Sequence, residues 1–191
     1  MTYSVFDLFK IGIGPSSSHT MGPMTATARF VDDLADRGLL GAVEHVACDL
    51  YGSLALTGKG HATDRAVLLG FAGCRPETID PDVVETLVAT VTREKRLALG
   101  GTCLVSFDPG ADVRFHQREK LPFHSNGMRC SAWRADGGEL LSRVYYSVGG
   151  GAIVDEAAVA ANAPPSPLTD FPLPYGSGAE LLAIAAREGM T

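Results

Sequence analysis

The stretch Gly12-Ile13-Gly14-Pro15-Ser16-Ser17-Ser18-His19-Thr20, followed by Met21-Gly22-Pro23-Met24, constrains the fold more than any other. Four hydroxyls and a histidine fill five consecutive positions, bracketed on both sides by glycine and proline. Helix interiors and central strands do not accept that punctuation, so the segment is expected to be a loop. Gly22-Pro23 then fits a helix start, with proline near the first helical position. A cap consumes one hydroxyl, and this stretch offers four. A donor-rich loop feeding a helix N-terminus suits a small anion such as a carboxylate or phosphate. Ser16, Ser17, Ser18, His19 and Thr20 are therefore expected to surround a single anion site. Apolar residues 5–9 before the loop and Met24 after it suggest that it is held rather than free.

The chain has 191 residues, of which 46% are hydrophobic and 20% charged, so it can build a sizeable core. That length suits one compact domain and an additional piece. A net charge of −6 without a long basic run argues against nucleic acid or an anionic membrane as a partner. No apolar run reaches membrane-spanning length and no secretory leader pattern opens the chain. A cytoplasmic protein is expected. Cys48, Cys74, Cys103 and Cys130 lie far apart, without a C-x-x-C pair. They read as small buried hydrophobes, and no metal ligand is assigned among them.

Helical spacing of apolar residues predicts a helix from Met24 to Leu34, ending at Arg37-Gly38. Residues 43–50 read as a strand, and Tyr51-Gly52-Ser53 opens a second polar stretch. Gly58-Lys59-Gly60-His61-Ala62-Thr63-Asp64 leads into a helix at Arg65–Gly70. Thr78 or Asp80, with Pro81 after it, starts another helix that runs to about Arg96. The pattern then changes to period two. Strands are expected at 97–99, 102–107 and 112–117, followed by a hairpin of 128–134 and 139–148 around Asp136-Gly137-Gly138. Helices first and paired strands later predict an α+β fold: a largely antiparallel sheet with helices packed on it. Five prolines (Pro164, Pro165, Pro167, Pro172 and Pro174) mark 162–178 as a linker. The helical pattern from Ala179 to Arg187 is too short to bury its face alone and reads as the start of a second domain.

Among the five histidines, His45 and His116 lie in strand patterns and read as ordinary sheet residues. His19, His61 and His124 lie in polar turns beside small or hydroxyl residues and form a set of bases and donors if those turns converge. Lys59 between two glycines suggests a phosphate loop, but the Walker A spacing is absent. Gly149-Gly150-Gly151 lacks the dinucleotide-binding pattern.

Ordered motifs over nearly the whole chain resemble one family. Residues 4–20, Gly58-Lys59-Gly60-His61-Ala62-Thr63-Asp64, Pro76-Glu77-Thr78-Ile79-Asp80-Pro81, His124-Ser125-Asn126-Gly127-Met128 and Tyr145-Tyr146-Ser147-Val148-Gly149-Gly150-Gly151 are similar to segments of the iron-sulfur-dependent bacterial L-serine dehydratases. The resemblance implies that 1–161 is the N-terminal β domain of the single-chain type, that 162–178 is the linker, and that 179–191 begins the α domain. It implies a cytoplasmic lyase of amino-acid degradation and gluconeogenesis that converts L-serine to pyruvate and ammonia. It implies a homodimer and a [4Fe-4S] cluster whose cysteine ligands lie in the α domain, outside this chain, so that the isolated fragment is inactive. Carried onto this sequence, His61 is the general base and His19 a donor. Ser16, Ser17, Ser18 and Thr20 bind the substrate carboxylate, and His124 and Asn126 orient the substrate. The β domain also resembles the allosteric substrate-binding domains of some phosphoglycerate dehydrogenases. That likeness implies a second reading, a regulatory module that binds L-serine or a related small acid.

Overall fold

In the computed structural model, residues 10–161, 173 and 175–190 are described. A π-helical turn, Ser17–Met21, runs directly into α1, Gly22–Asp36. β1, His45–Tyr51, is followed by α2, Gly52–Thr57, a 3-10 turn, Gly58–His61, and α3, Thr63–Phe71. After α4, Pro81–Glu94, come β2, Arg96–Leu99, and β3, Cys103–Ser106. A short helix α5, Pro109–Asp112, precedes β4, Val113–His116. β5, Gly127–Trp133, β6, Glu139–Gly149, and β7, Ala152–Asp155, complete the sheet. Helices α6, Glu156–Ala160, and α7, Gly178–Arg187, follow.

The seven strands form one sheet in the order β2-β3-β1-β5-β6-β7, with β4 sharing the β3 edge of β1. Among the described residues four pairings are antiparallel, and β1 with β3 and β1 with β4 are parallel. The largely antiparallel α+β fold read from the sequence is the one observed. Period two places Val46, Cys48 and Leu50 of β1 on one face, beside Ala132, Cys130 and Met128 of β5. That face carries the core together with Phe30, Leu34, Val67, Phe71, Leu97, Val105 and Phe107. Phe30, Phe71 and Phe107 pack edge to face, with ring centroids 6.1 and 5.8 Å apart. Gly70 of α3 lies against α1, where a Cβ would overlap the Met24 carbonyl and Thr27 Oγ1.

Four local expectations change. The hydroxyl-rich stretch is helical rather than a loop. Its glycine and proline brackets lie outside the turn, at Gly14-Pro15 before the Ser16 cap and at Gly22-Pro23 after it. Gly22 N–H bonds the Ser17 carbonyl five residues back, which makes the turn π-helical. Asp108-Pro109-Gly110 opens α5, where the Asp108 carboxylate accepts from Gly110 N–H at 2.9 Å. Residues 52–57 form α2 within the stretch read only as polar. The edge strand β7 lies beyond the glycine triplet that closed the hairpin in the sequence reading. Residues 162–172 and 174, most of the expected linker, and apolar residues 5–9 lie outside the described residues.

Candidate active site

The site begins where the N-terminal ends of α1 and α3 meet. Ser16 caps the π turn, its Oγ accepting from His19 N–H at 3.1 Å. Because Pro23 has no N–H, the His19 carbonyl lacks the donor that an α-helix would supply four residues on. Thr63 Oγ1, wholly buried, donates to that carbonyl at 2.5 Å. In the opposite direction Thr20 Oγ1 donates to the His61 carbonyl at 2.8 Å. Two threonines thus clasp the two histidine-bearing turns together. Ala62 joins His61 to α3 with φ +55°, the left-handed region that non-glycine residues seldom adopt. Strain of that kind is concentrated at functional sites.

The rings of His19 and His61 lie 5.0 Å apart, centroid to centroid. His61 Nδ1 is 2.9 Å from the Thr57 carbonyl. A carbonyl only accepts, so Nδ1 carries the hydrogen and the neutral ring presents an unprotonated Nε2. Gly60, beside it, has open space where a side chain would stand. His19 is held at both ring nitrogens, by Ser18 Oγ at 2.9 Å and Ser53 Oγ at 3.0 Å. Burial, and then the adjacent His61, depress its pKa below the usual histidine value, although the contact with Ser53 opposes them. His19 is therefore neutral near pH 7.

Ser53 also joins the third turn to the site. It sits at the start of α2, where its N–H bonds the Ser125 carbonyl at 2.8 Å. Gly52 makes that approach feasible: its φ is +54°, and a Cβ would overlap the same carbonyl. Beside Ser125, Asn126 N–H donates to His124 Nδ1 at 3.1 Å. The Asn126 amide is buried and donates to the Ser147 carbonyl of β6 at 3.1 Å. The structure thus brings His19, His61, Ser18 and Thr20 together directly, and it ties the 124–126 turn to them through Ser53. Ser16 serves as the cap, and Ser17 is exposed.

Ser53 and Thr63 were not singled out in the sequence. The only signal for Ser53 was a polar stretch directly after a strand, and Thr63 lay unmarked inside the motif around His61. His45 and His116 are strand residues that bond Asp112 at 2.8 Å and Asp49 at 2.6 Å.

Cys48 and Cys130 face each other across β1 and β5 in the buried core. Burial, and then its Cys130 neighbour, push the Cys48 thiol well above its ordinary pKa, the opposite of what thiolate ligation needs. Among the described residues no three side chains of His, Cys, Asp or Glu gather as a metal-binding set. Among the described residues, which include all four cysteines, no set fits an iron-sulfur cluster. Among the described residues, no helix is long and apolar enough to cross a membrane.

Fold and site together define an α+β domain with two imidazoles, His19 and His61, held side by side at a helix junction. The serine dehydratase beta chain model matches residues 4–158, and the chain belongs to that family. It is 46% identical over its entire length to an L-serine dehydratase of Streptomyces coelicolor, covering 42% of that protein. It is 47% identical over 97% of its length to L-serine dehydratase 1 of Escherichia coli, covering 40% of that protein. The chain thus spans about two fifths of the length of these curated relatives.

Proposed function

We propose that this chain is the part of an L-serine dehydratase that supplies the base and the substrate-positioning groups. The observation that carries the reading is the bond from His61 Nδ1–H to the Thr57 carbonyl, which leaves Nε2 free as a proton acceptor beside His19. Deamination of L-serine begins with removal of the Cα proton and departure of the β-hydroxyl. A neutral imidazole at an open position suits the first task. His61 Nε2 takes the Cα proton, while His19, whose ring nitrogens rest on Ser18 and Ser53 in the free site, exchanges one of these serine contacts to donate its N–H to the substrate carboxylate. Ser16, Ser17 and Ser18 line the approach to that carboxylate, and Thr20 fixes His61 through its carbonyl. His124, whose Nδ1 is occupied by Asn126 N–H, presents Nε2–H as a donor that orients the substrate, and Asn126 anchors that turn. Loss of the proton and the hydroxyl leaves an enamine, which tautomerises to an imine. The imine takes up water to give pyruvate and ammonia.

Among the described residues no metal-binding set is present to activate the β-hydroxyl as a leaving group. We assign that task to the remainder of the enzyme, with a [4Fe-4S] cluster and its cysteine ligands in an α domain that closes the site. A homodimer and a cytoplasmic location belong to the same reading. The test is pyruvate release from L-serine under anaerobic conditions, by the complete enzyme and by residues 1–191 alone. Release by the complete enzyme only is expected. Release by the 191-residue chain alone would mean that the site is complete without a partner domain.

A further inference from the structure

A cleft of about 510 Å³ opens beside the turn that carries His61, with Lys59 of that turn in its lining. It lies between α3, α4, α5 and β4, and His19, His61, Ser53 and His124 are not among its lining residues. Its volume falls within the range of small-molecule sites, roughly 300–1,000 Å³. Leu68 and Val113, both buried, and Phe115 give it an apolar floor. Arg65 and Arg114 stand in its wall, each already paired with a carboxylate outside the lining, Glu85 and Asp49 respectively. Both guanidinium groups are thus already engaged by carboxylates.

The remaining two charges are different. Lys59 Nζ lies over the Phe115 ring, 5.5 Å from its centroid, and no carboxylate among the described residues is within 4.0 Å of it. Asp64 lines the same cleft and has no ion-pair partner among the described residues. Its Oδ1 accepts only from Arg65 N–H, at 2.9 Å. One cation and one carboxylate thus face a single apolar cleft without neutralising each other. A ligand carrying both opposite charges on a short apolar body satisfies both at once, whereas a simple anion meets Asp64 as a repulsive group.

From this juxtaposition of Lys59 and Asp64 over an apolar floor, we propose that the cleft binds a zwitterionic α-amino acid with an aliphatic side chain. The carboxylate pairs with Lys59, the ammonium with Asp64, and the side chain lies on Leu68 and Phe115. The proposal is independent of the dehydratase reading, because binding is measured without turnover.

The experiment is a calorimetric titration of the complete protein with L-valine, and with 3-methylbutanoate, which lacks only the ammonium. L-Valine is expected to bind at least about tenfold more tightly than the deaminated acid. Lys59→Gln weakens both about tenfold, and Asp64→Asn removes the preference between them. Lys59 is on an exposed turn, so Lys59→Gln tests the site even if Asp64→Asn perturbs the start of α3; circular dichroism reports the fold of both. Equal binding of the two compounds overturns the proposal, as does no saturable binding of L-valine up to about 100 mM. Binding that survives Lys59→Gln but is lost in His61→Ala would place L-valine in the histidine site and also overturns it.

Discussion

Helices α1 and α3 touch at two places that are held together by different physics. Along their length the contact is apolar and close: Gly70 lets α3 approach the Met24 carbonyl, and Phe71 fits between Phe30 and Phe107. At their N-terminal ends the contact is polar. Thr20 and Thr63 each give a hydroxyl to the carbonyl of a histidine on the other segment. The first contact depends on volume and determines whether the domain folds. The second depends on hydrogen-bond direction and determines where two imidazoles point. Changes along the helices should therefore appear first in stability, and changes at the ends first in activity.

The largest stability effect is expected from Phe71→Ala. It empties the centre of the aromatic trio and should cost about 3–5 kcal/mol, read as a lower midpoint in chemical denaturation. Gly70→Ala should cost about 1–3 kcal/mol by forcing α1 and α3 apart. If either change leaves the midpoint in place, the apolar contact is not what holds the two helices together. Thr63→Val keeps the volume but removes the donor to the His19 carbonyl. A buried carbonyl left unpaired costs about 1–3 kcal/mol. Turnover is expected to fall by more than the stability loss explains, because His19 is released. Turnover unchanged in a folded Thr63→Val protein would show that the clasp does not position the histidine.

Two smaller effects sharpen the comparison. Ala62→Gly relieves a left-handed alanine worth about 1–2 kcal/mol, and it returns about half of that or more through the freer unfolded chain. A small rise in thermal midpoint is expected, and a fall would mean that the strain is absent. The smallest effect concerns pH. The folded domain resists protonation of His19, so the unfolded chain binds more protons as the pH falls below about 6.5. Stability therefore decreases on acidification through that range. His19→Asn should flatten this part of the thermal midpoint's pH profile, and an unaltered profile would assign the dependence to other groups.

The apolar contact was largely legible in the sequence. The spacing of Ala26, Phe30 and Leu34 gave α1, and alternation around Val46, Cys48 and Leu50 gave β1. The Asp136-Gly137-Gly138 turn gave the β5–β6 hairpin. Periodicity reports burial directly, so these elements followed from it. The polar contact was legible only in its ingredients. His19 and His61 drew notice because they stood in unusual polar turns, but no local pattern tells that two turns separated by 41 residues exchange hydroxyl-to-carbonyl bonds. Ser53 was missed for the same reason: its role depends on reaching His19 from the start of another helix, a contact set by tertiary packing. The π turn was read as a loop because proline and glycine were taken as breakers, although they stood at its ends. The cysteines show how burial resolves an ambiguity of residue type. The reading of all four as buried hydrophobes holds for Cys48 and Cys130, paired across β1 and β5, whereas Cys74 and Cys103 are half-buried.

The central claim is that His61 is the base. Its most direct test is steady-state pyruvate formation from L-serine by the complete enzyme under anaerobic conditions, comparing His61→Ala with His45→Ala and checking the fold of both by circular dichroism. General-base catalysis contributes about 10²–10⁴-fold, so His61→Ala should lower kcat by at least about a hundredfold while His45→Ala, at the start of β1, costs far less. A folded His61→Ala enzyme that keeps activity within about tenfold, a barrier difference of about 1.4 kcal/mol, would contradict the assignment and turn attention to His19 or His124.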